Sequence, residues 1–169
     1  MRSSLIALVS AAALAAGAAH AQAPAAAPAA PAAPAAPTYS AYGPNITLEQ
    51  AMQVANAANA EAAKRKLPAT IAIVDTSGAM VYYQRATNAP GTADAFATRK
   101  AVAAVKERHA TSADQARLAA NPGATPFLPD FFPFGGGQPI VVDGKVIGAI
   151  GETGGADDDV AKAGAAALH

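Results

Sequence analysis

Between Leu48 and Ala62 apolar residues return every three or four positions. Leu48, Ala51, Met52, Ala55, Ala58 and Ala62 fall on one helical face, with Asn56, Glu61, Lys64 and Arg65 left for solvent. Thr47-Leu-Glu-Gln50 ahead of this run fits a capping box, and Pro68 disfavours helix just before it, so the helix is predicted to stop near Leu67. The period then changes to two. Thr70–Val74 reads as a strand, Asp75-Thr-Ser-Gly78 as a turn, and Met80–Arg85 as the return strand. Met80, Tyr82 and Gln84 face one way on it, Val81, Tyr83 and Arg85 the other. Helical spacing resumes from Ala93 to about His109 through Phe96, Ala97, Ala101, Ala104 and Val105. A short third helix follows over Asp114–Ala120 and is stopped by Asn121-Pro122-Gly123. Pro139–Val142 and Lys145–Ile150 form a second hairpin about Asp143-Gly144, a pair suited to a type I′ turn. Ala156–Leu168 closes the chain as a helix with Val160, Ala163, Ala167 and Leu168 inward. The order α-β-β-α-α-β-β-α, with hairpins in place of crossovers, predicts an α+β fold: an antiparallel β-sheet with helices packed on it.

Two stretches carry neither period. Residues 1–21 have Arg2, an apolar run from Leu5 to Gly17 too short to span a bilayer, and Ala19-His20-Ala21, which together read as a cleaved secretory signal. Residues 22–44 are Ala/Pro-rich, with Pro24, Pro28, Pro31, Pro34 and Pro37 spaced to keep the segment extended as a linker. The folded domain is therefore expected over residues 45–169, in a periplasmic or secreted protein with no membrane span after cleavage. The second stretch, Ala124–Phe134, holds Phe127, Phe131, Phe132 and Phe134 among three prolines. Irregular backbone this apolar is expected to cover the core, a second subunit or a flat apolar ligand.

Composition removes several functions. The 169 residues carry twelve basic and twelve acidic side chains and no cysteine. Neutral charge gives no electrostatic reason to expect nucleic acid. The lack of cysteine excludes disulfides, thiolate catalysis and cysteine-based metal centres. Gly135-Gly136-Gly137 and Gly154-Gly155 match neither a dinucleotide fingerprint nor a phosphate loop. They are expected in tight turns, in close backbone contacts or at a pocket mouth. Asp157, Asp158 and Asp159 fit the first turn of a helix, where carboxylates meet the positive end of its dipole.

The motifs Val74-Asp75-Thr-Ser-Gly78, Lys100-Ala101-Val-Ala-Ala104, Phe134-Gly-Gly-Gly-Gln-Pro139, Val146–Gly155 and Asp158–Gly164 together resemble the haem-binding, haem-degrading proteins of the GlcG/HbpS type. The resemblance covers nearly the whole domain. It implies a profilin-like or GlcG-like α+β fold, with an antiparallel sheet of about five strands flanked by helices and assembled as a homo-oligomer. It also implies haem as cofactor, with a role in haem or redox sensing through a partner sensor protein, or in haem degradation.

Haem needs an axial ligand, apolar plates and cations for its propionates. His109 is the first candidate for the iron, with Thr111, Tyr82 and Lys100 next, and Tyr83 and Met80 as further possibilities. Lys100, which matches the resembling family's lysine, and Arg99 are candidates for the propionates. Phe132 and Phe134 are candidates for the plates, and Gly136 and Gly154 for the backbone lining. His109 also reads as a dipole-stabilising, solvent-exposed helix-end histidine, and Lys100 as a surface lysine. Two other classes stay open. One is an accessory protein that binds or processes a small organic acid, using Lys100, Asp75 and glycine backbone donors in glycolate-type metabolism. The other is a purely oligomeric interaction protein. No catalytic constellation is visible in the residues.

Overall fold

The computed structural model describes residues 39–123 and 129–168. The signal and most of the linker expected at the N-terminus, together with Phe127 and His169, lie outside them. The elements are α1 (Leu48–Lys64), β1 (Thr70–Asp75), β2 (Met80–Gln84), α2 (Ala93–Glu107), α3 (Thr111–Ala120), β3 (Gly137–Val142), β4 (Lys145–Thr153) and α4 (Asp157–Ala165). Their order is the predicted one, and the fold is α+β.

The sheet is antiparallel throughout, in the order β2-β1-β4-β3. Its two hairpins meet along β1 and β4, with Ile71 opposite Glu152 and Asp75 opposite Gly148. The described residues form four strands, where the resemblance implied about five; beside them, Tyr42 makes an isolated parallel bridge to Val146. Asp143 and Gly144 both take positive φ, 50° and 72°, as the type I′ turn requires.

Alanine lets the helices come close to the sheet. On one face α1 and α4 bury Ala51, Val54, Ala55, Ala58 and Val160 against Ile71, Ile73, Ile140 and Ile150. On the other, α2 lays Ala97, Ala101, Ala104 and Val105 over Ala72, Val74, Val146 and Ala149. The approach is closest at Gly151, where an added Cβ would lie 2.0 Å from the Ala97 carbonyl oxygen. Between Ile140 and Val141 the β3–β4 register shifts by one residue of β4 and leaves Ile147 unpaired, a bulge that lets Ile147 and Ile150 both join the first core.

Three expectations are corrected. Leu48 and Met52 point outward, 50% and 48% exposed, and Val54 takes the inner position. A helix seated this closely has room for alanine and valine there but not for methionine. Helix α4 ends at Ala165, and its buried residues are Val160, Ala161 and Gly164, not Ala163 and Ala167. Lys100 is no surface lysine: it is 2% exposed. The capping box at Thr47 is present, with Thr47 Oγ1 accepting from the Gln50 amide at 3.2 Å and Gln50 Oε1 accepting from the Thr47 amide at 3.0 Å.

Candidate functional site

The glycine clusters converge at one end of the sheet, where β3 begins and β4 ends, and there they are held by side chains from elsewhere. The Gly135 amide donates to Gln115 Oε1 (2.8 Å), the Gly136 amide to Asp158 Oδ1 (2.8 Å) and the Gly137 amide to Thr111 Oγ1 (2.9 Å). Thr111 Oγ1 in turn donates to the Phe134 carbonyl at 2.7 Å. Gly136 has φ 103°, and a Cβ there would lie 2.7 Å from the Glu152 carbonyl oxygen, so only glycine fits. On the other side Asp157 Oδ1 accepts from the amides of Gly154 (3.1 Å) and Gly155 (2.8 Å). These amides are therefore occupied by protein groups, not left as a free anion cradle.

Lys100 ties the two clusters together. Its ammonium donates to the Glu152 carbonyl at 2.9 Å and to Asp157 Oδ2 at 2.5 Å. Burial works to raise the Asp157 pKa, but the Lys100 hydrogen bond, those from Gly155 and Gly154 and the Lys100 charge outweigh it and hold this carboxyl below its usual range. Glu152 is the opposite case. It is 1% exposed and neither carboxyl oxygen has a hydrogen-bond partner of good geometry. Burial, then the neighbouring Asp157 charge, push its pKa up to about 8, against the pull of Lys100. Burial therefore favours the neutral form of Glu152.

A cavity of about 550 Å³ opens here, lined by Phe96, Lys100, Gln115, Phe134, Thr153 and residues 155–159, among others. Phe96 and Phe134 form its aromatic side, backed by the buried Phe132, with the three ring centres 4.8–5.6 Å apart. Phe132 is buried, Phe134 is 47% exposed, and the Arg99 guanidinium lies 4.2 Å from the Phe132 ring centre. The facing carboxylates are each engaged: Asp157 by Lys100, Asp158 by the Gly136 amide, and Asp159 by Arg65 at 3.0 Å. A second cavity of about 400 Å³ lies behind the β4–α4 turn, and Thr153, Gly155 and Asp157 line both.

Of the residues singled out from sequence, Lys100, Thr111, Phe132, Phe134, Gly136 and Gly154 come together at this end of the sheet, with Lys100, Phe134 and Gly154 lining the cavities. Tyr82, His109 and Asp75 do not. Tyr82 packs against the α1 face of the sheet, its hydroxyl donating to Gln84 Oε1 at 3.1 Å. His109 sits at the far end of α2, with Nε2 2.9 Å from Asp114 Oδ2 and Nδ1 3.0 Å from the Glu107 carbonyl. Asp114 is also bound by Arg117 at 2.8 Å. Asp75, named for the small-acid reading, stands at the opposite end of β1 from Lys100, satisfied by Ser77 and Ala79. Sequence reasoning passed over Phe96, Gln115 and Glu152. Glu152 had a signal: it is an acid two residues after Ile150, on the inward face of an otherwise apolar strand.

Fold and cavity describe a small α+β domain with an aromatic-walled cavity at one end of its sheet. The family model for the haem degrading protein HbpS-like family matches residues 46–168, and the chain belongs to this family. A curated relative from Citrobacter freundii, an uncharacterized 15.0 kDa protein in the dhaT-dhaS intergenic region, is 34% identical over 116 residues, 65% of this chain and 80% of its own. Among solved structures, a double mutant of Streptomyces reticuli HbpS is 32% identical with TM-score 0.67, covering 83% of this chain and 99% of that one. Klebsiella pneumoniae protein ORFY is 26% identical with TM-score 0.67, over 79% and 97%. A PduOC:heme complex is 28% identical with TM-score 0.65, over 74% and 96%. Among the described residues no helix is long and apolar enough to cross a membrane.

Proposed function

We propose that this protein binds haem in the 550 Å³ cavity, with the Phe96–Phe132–Phe134 cluster against the porphyrin. The observation that carries the reading is this cluster, half open to a cavity of ligand size and bordered by the Arg99 cation. Membership of a haem-degrading family and likeness to a relative solved with heme support it. The donor set fits haem in two respects: the aromatic rings suit its apolar face and Arg99 suits a propionate, whereas Lys100 is already held by Asp157 and the Glu152 carbonyl. When bound, haem supplies the redox-active iron, and the protein sets its access and surroundings. His109 is the proposed iron ligand; because it lies beyond α2 and outside the lining of this cavity, the role requires it to leave Asp114 and the Glu107 carbonyl and to move to the haem. The leader at residues 1–21 and the linker at 22–44 go with a periplasmic or secreted protein, and we read it as a homo-oligomer acting in haem or redox sensing or in haem degradation.

The test is haemin titration of the exported chain, followed at the Soret band, for the wild type, Phe134→Ala and His109→Ala. The reading expects saturation near one haem per subunit. Phe134→Ala should weaken binding by about tenfold, the scale of one aromatic contact. A changed Soret position in His109→Ala identifies the ligand, whereas an unchanged one moves it to Thr111 or another residue. No saturable shift in the wild type overturns the haem reading.

A further inference from the structure

The turn between β4 and α4 is the wall between the two cavities, and one carboxylate holds it. Asp157 receives the Gly154 and Gly155 amides on one oxygen and the Lys100 ammonium on the other. Glycines at 154 and 155 give this wall little stiffness of its own. Beneath it lies Glu152, wholly buried and without a hydrogen-bond partner, so close that a Cβ on Gly154 would meet its Oε1 at 2.7 Å. The charged groups acting on Glu152 are Asp157 at the start of α4 and Lys100 on α2. A neutral Glu152 leaves Lys100 to Asp157. An ionised Glu152 sets a second carboxylate beside the same ammonium and repels the first.

We propose that Glu152 is a proton-controlled latch for residues 153–157: protonated, it keeps the wall between the two cavities closed; ionised, it loosens Asp157 and lets the wall open. The buried, unpartnered carboxyl is what suits it to the task, since in water or against a fixed donor it would stay ionised and do nothing. Its working range lies on the mildly alkaline side of neutrality, where this acid loses its proton. Opening would join the 400 Å³ compartment to the 550 Å³ one, enlarging the site toward Pro68 and the 86–90 segment.

The experiment needs no haem and stands whether or not haem is the ligand. Hydrogen-exchange protection factors of the Gly154 and Gly155 amides are measured by NMR from about pH 6.5 to about pH 9.5, alongside the Glu152 side-chain carbon resonance. The latch predicts that protection at both glycines falls by about tenfold or more as Glu152 ionises, with the same midpoint. In Glu152→Gln, which keeps shape but cannot ionise, protection should stay flat over this range. The proposal is overturned if Glu152 titrates in the ordinary carboxyl range, or if the wild-type glycines stay protected after it ionises. It is equally overturned if Glu152→Gln loses protection over the same range as the wild type.

Discussion

The two ends of the β1–β4 pair carry acids of opposite character, about 13 Å apart along the strands. At one end Asp75 closes the β1–β2 turn. Its Oδ1 accepts from the Ser77 amide and hydroxyl and from the Ala79 amide, all within four residues, and the hydrogen bond from Ser77 leads the effects that hold its pKa below the usual range. At the other end Glu152 has no hydrogen-bond partner, and burial drives its pKa upward. Asp157, beside it, is held by Lys100, which lies 57 residues earlier in the chain. A turn built by its neighbours in sequence is finished mostly locally, with Asn45 adding an exposed hydrogen bond to the other Asp75 oxygen from earlier in the chain. An end built from α2, β4 and α4 depends on a charge brought from far away, and it has room left over for a ligand.

Lys100→Met attacks that dependence most directly. The side chain keeps its apolar length but leaves Asp157 and the Glu152 carbonyl without their cation. Breaking a buried pair from one side costs about 3–5 kcal/mol, and the loss should fall near the lower figure because Asp157 is partly open to water. Denaturant unfolding measures it. A loss under about 1 kcal/mol, the scale of a surface pair, would mean that the site end is held no more by long-range charge than the turn end.

The pH dependence of stability separates the same two ends. Glu152 has a raised pKa in the folded state, so the stability linked to its proton is fully present below the unfolded carboxyl value of about 4.5 and is lost as pH rises toward about 8. Unfolding curves of the wild type should therefore decline by a few kcal/mol across that window, and Glu152→Gln should flatten the decline. Asp157 and Asp75 act in the opposite sense. Their depressed values add stability above about 3.8 that disappears as the solution is acidified through the folded-state values. An alkaline limb unchanged in Glu152→Gln would show that the buried acid does not govern the site end.

The contrast also marks what was legible before the structure. Both hairpins, the capping box and the order of elements follow from signals within a few residues: Asp143-Gly144 at positive φ, Thr47 with Gln50, the Asp75 turn. Helix α1 could be recognised but not correctly phased, since alanine lies on almost every side of it and hydrophobicity hardly distinguishes Met52 from Val54 as the inner residue. The site was legible as a set of residue types. Lys100, Thr111, Phe134 and the glycines were singled out and do converge, whereas His109 was singled out because histidine is a good ligand and lies at the far end of α2. Burial of Lys100 and Glu152 had no local sign beyond the acid's inward register, because it arises only when α2 and α4 close over the end of β4. The roles of Asp157 and Asp158 were hidden likewise. As part of an acidic first turn they suit the helix dipole, and only the tertiary structure turns them onto Lys100 and Gly136.

The smallest expected effect belongs to Asp75→Asn. The amide oxygen still accepts from the Ser77 and Ala79 amides, so the turn keeps its geometry and loses the charge-assisted part of those bonds together with the exposed bond from Asn45 Nδ2 to the other carboxyl oxygen. The group is largely open to water, where such a difference is worth less than about 1 kcal/mol at neutral pH. The acid limb from this carboxylate should shrink while the alkaline limb stays as in the wild type, because Gly148, not Glu152, stands opposite Asp75 in the register. Haemin affinity should be unchanged as well, since Asp75 lines neither cavity at the site end. A variant that lost haemin binding, or that moved the alkaline limb, would show the two ends to be coupled along β1 and β4, and the division between a locally finished turn and a long-range site would fail.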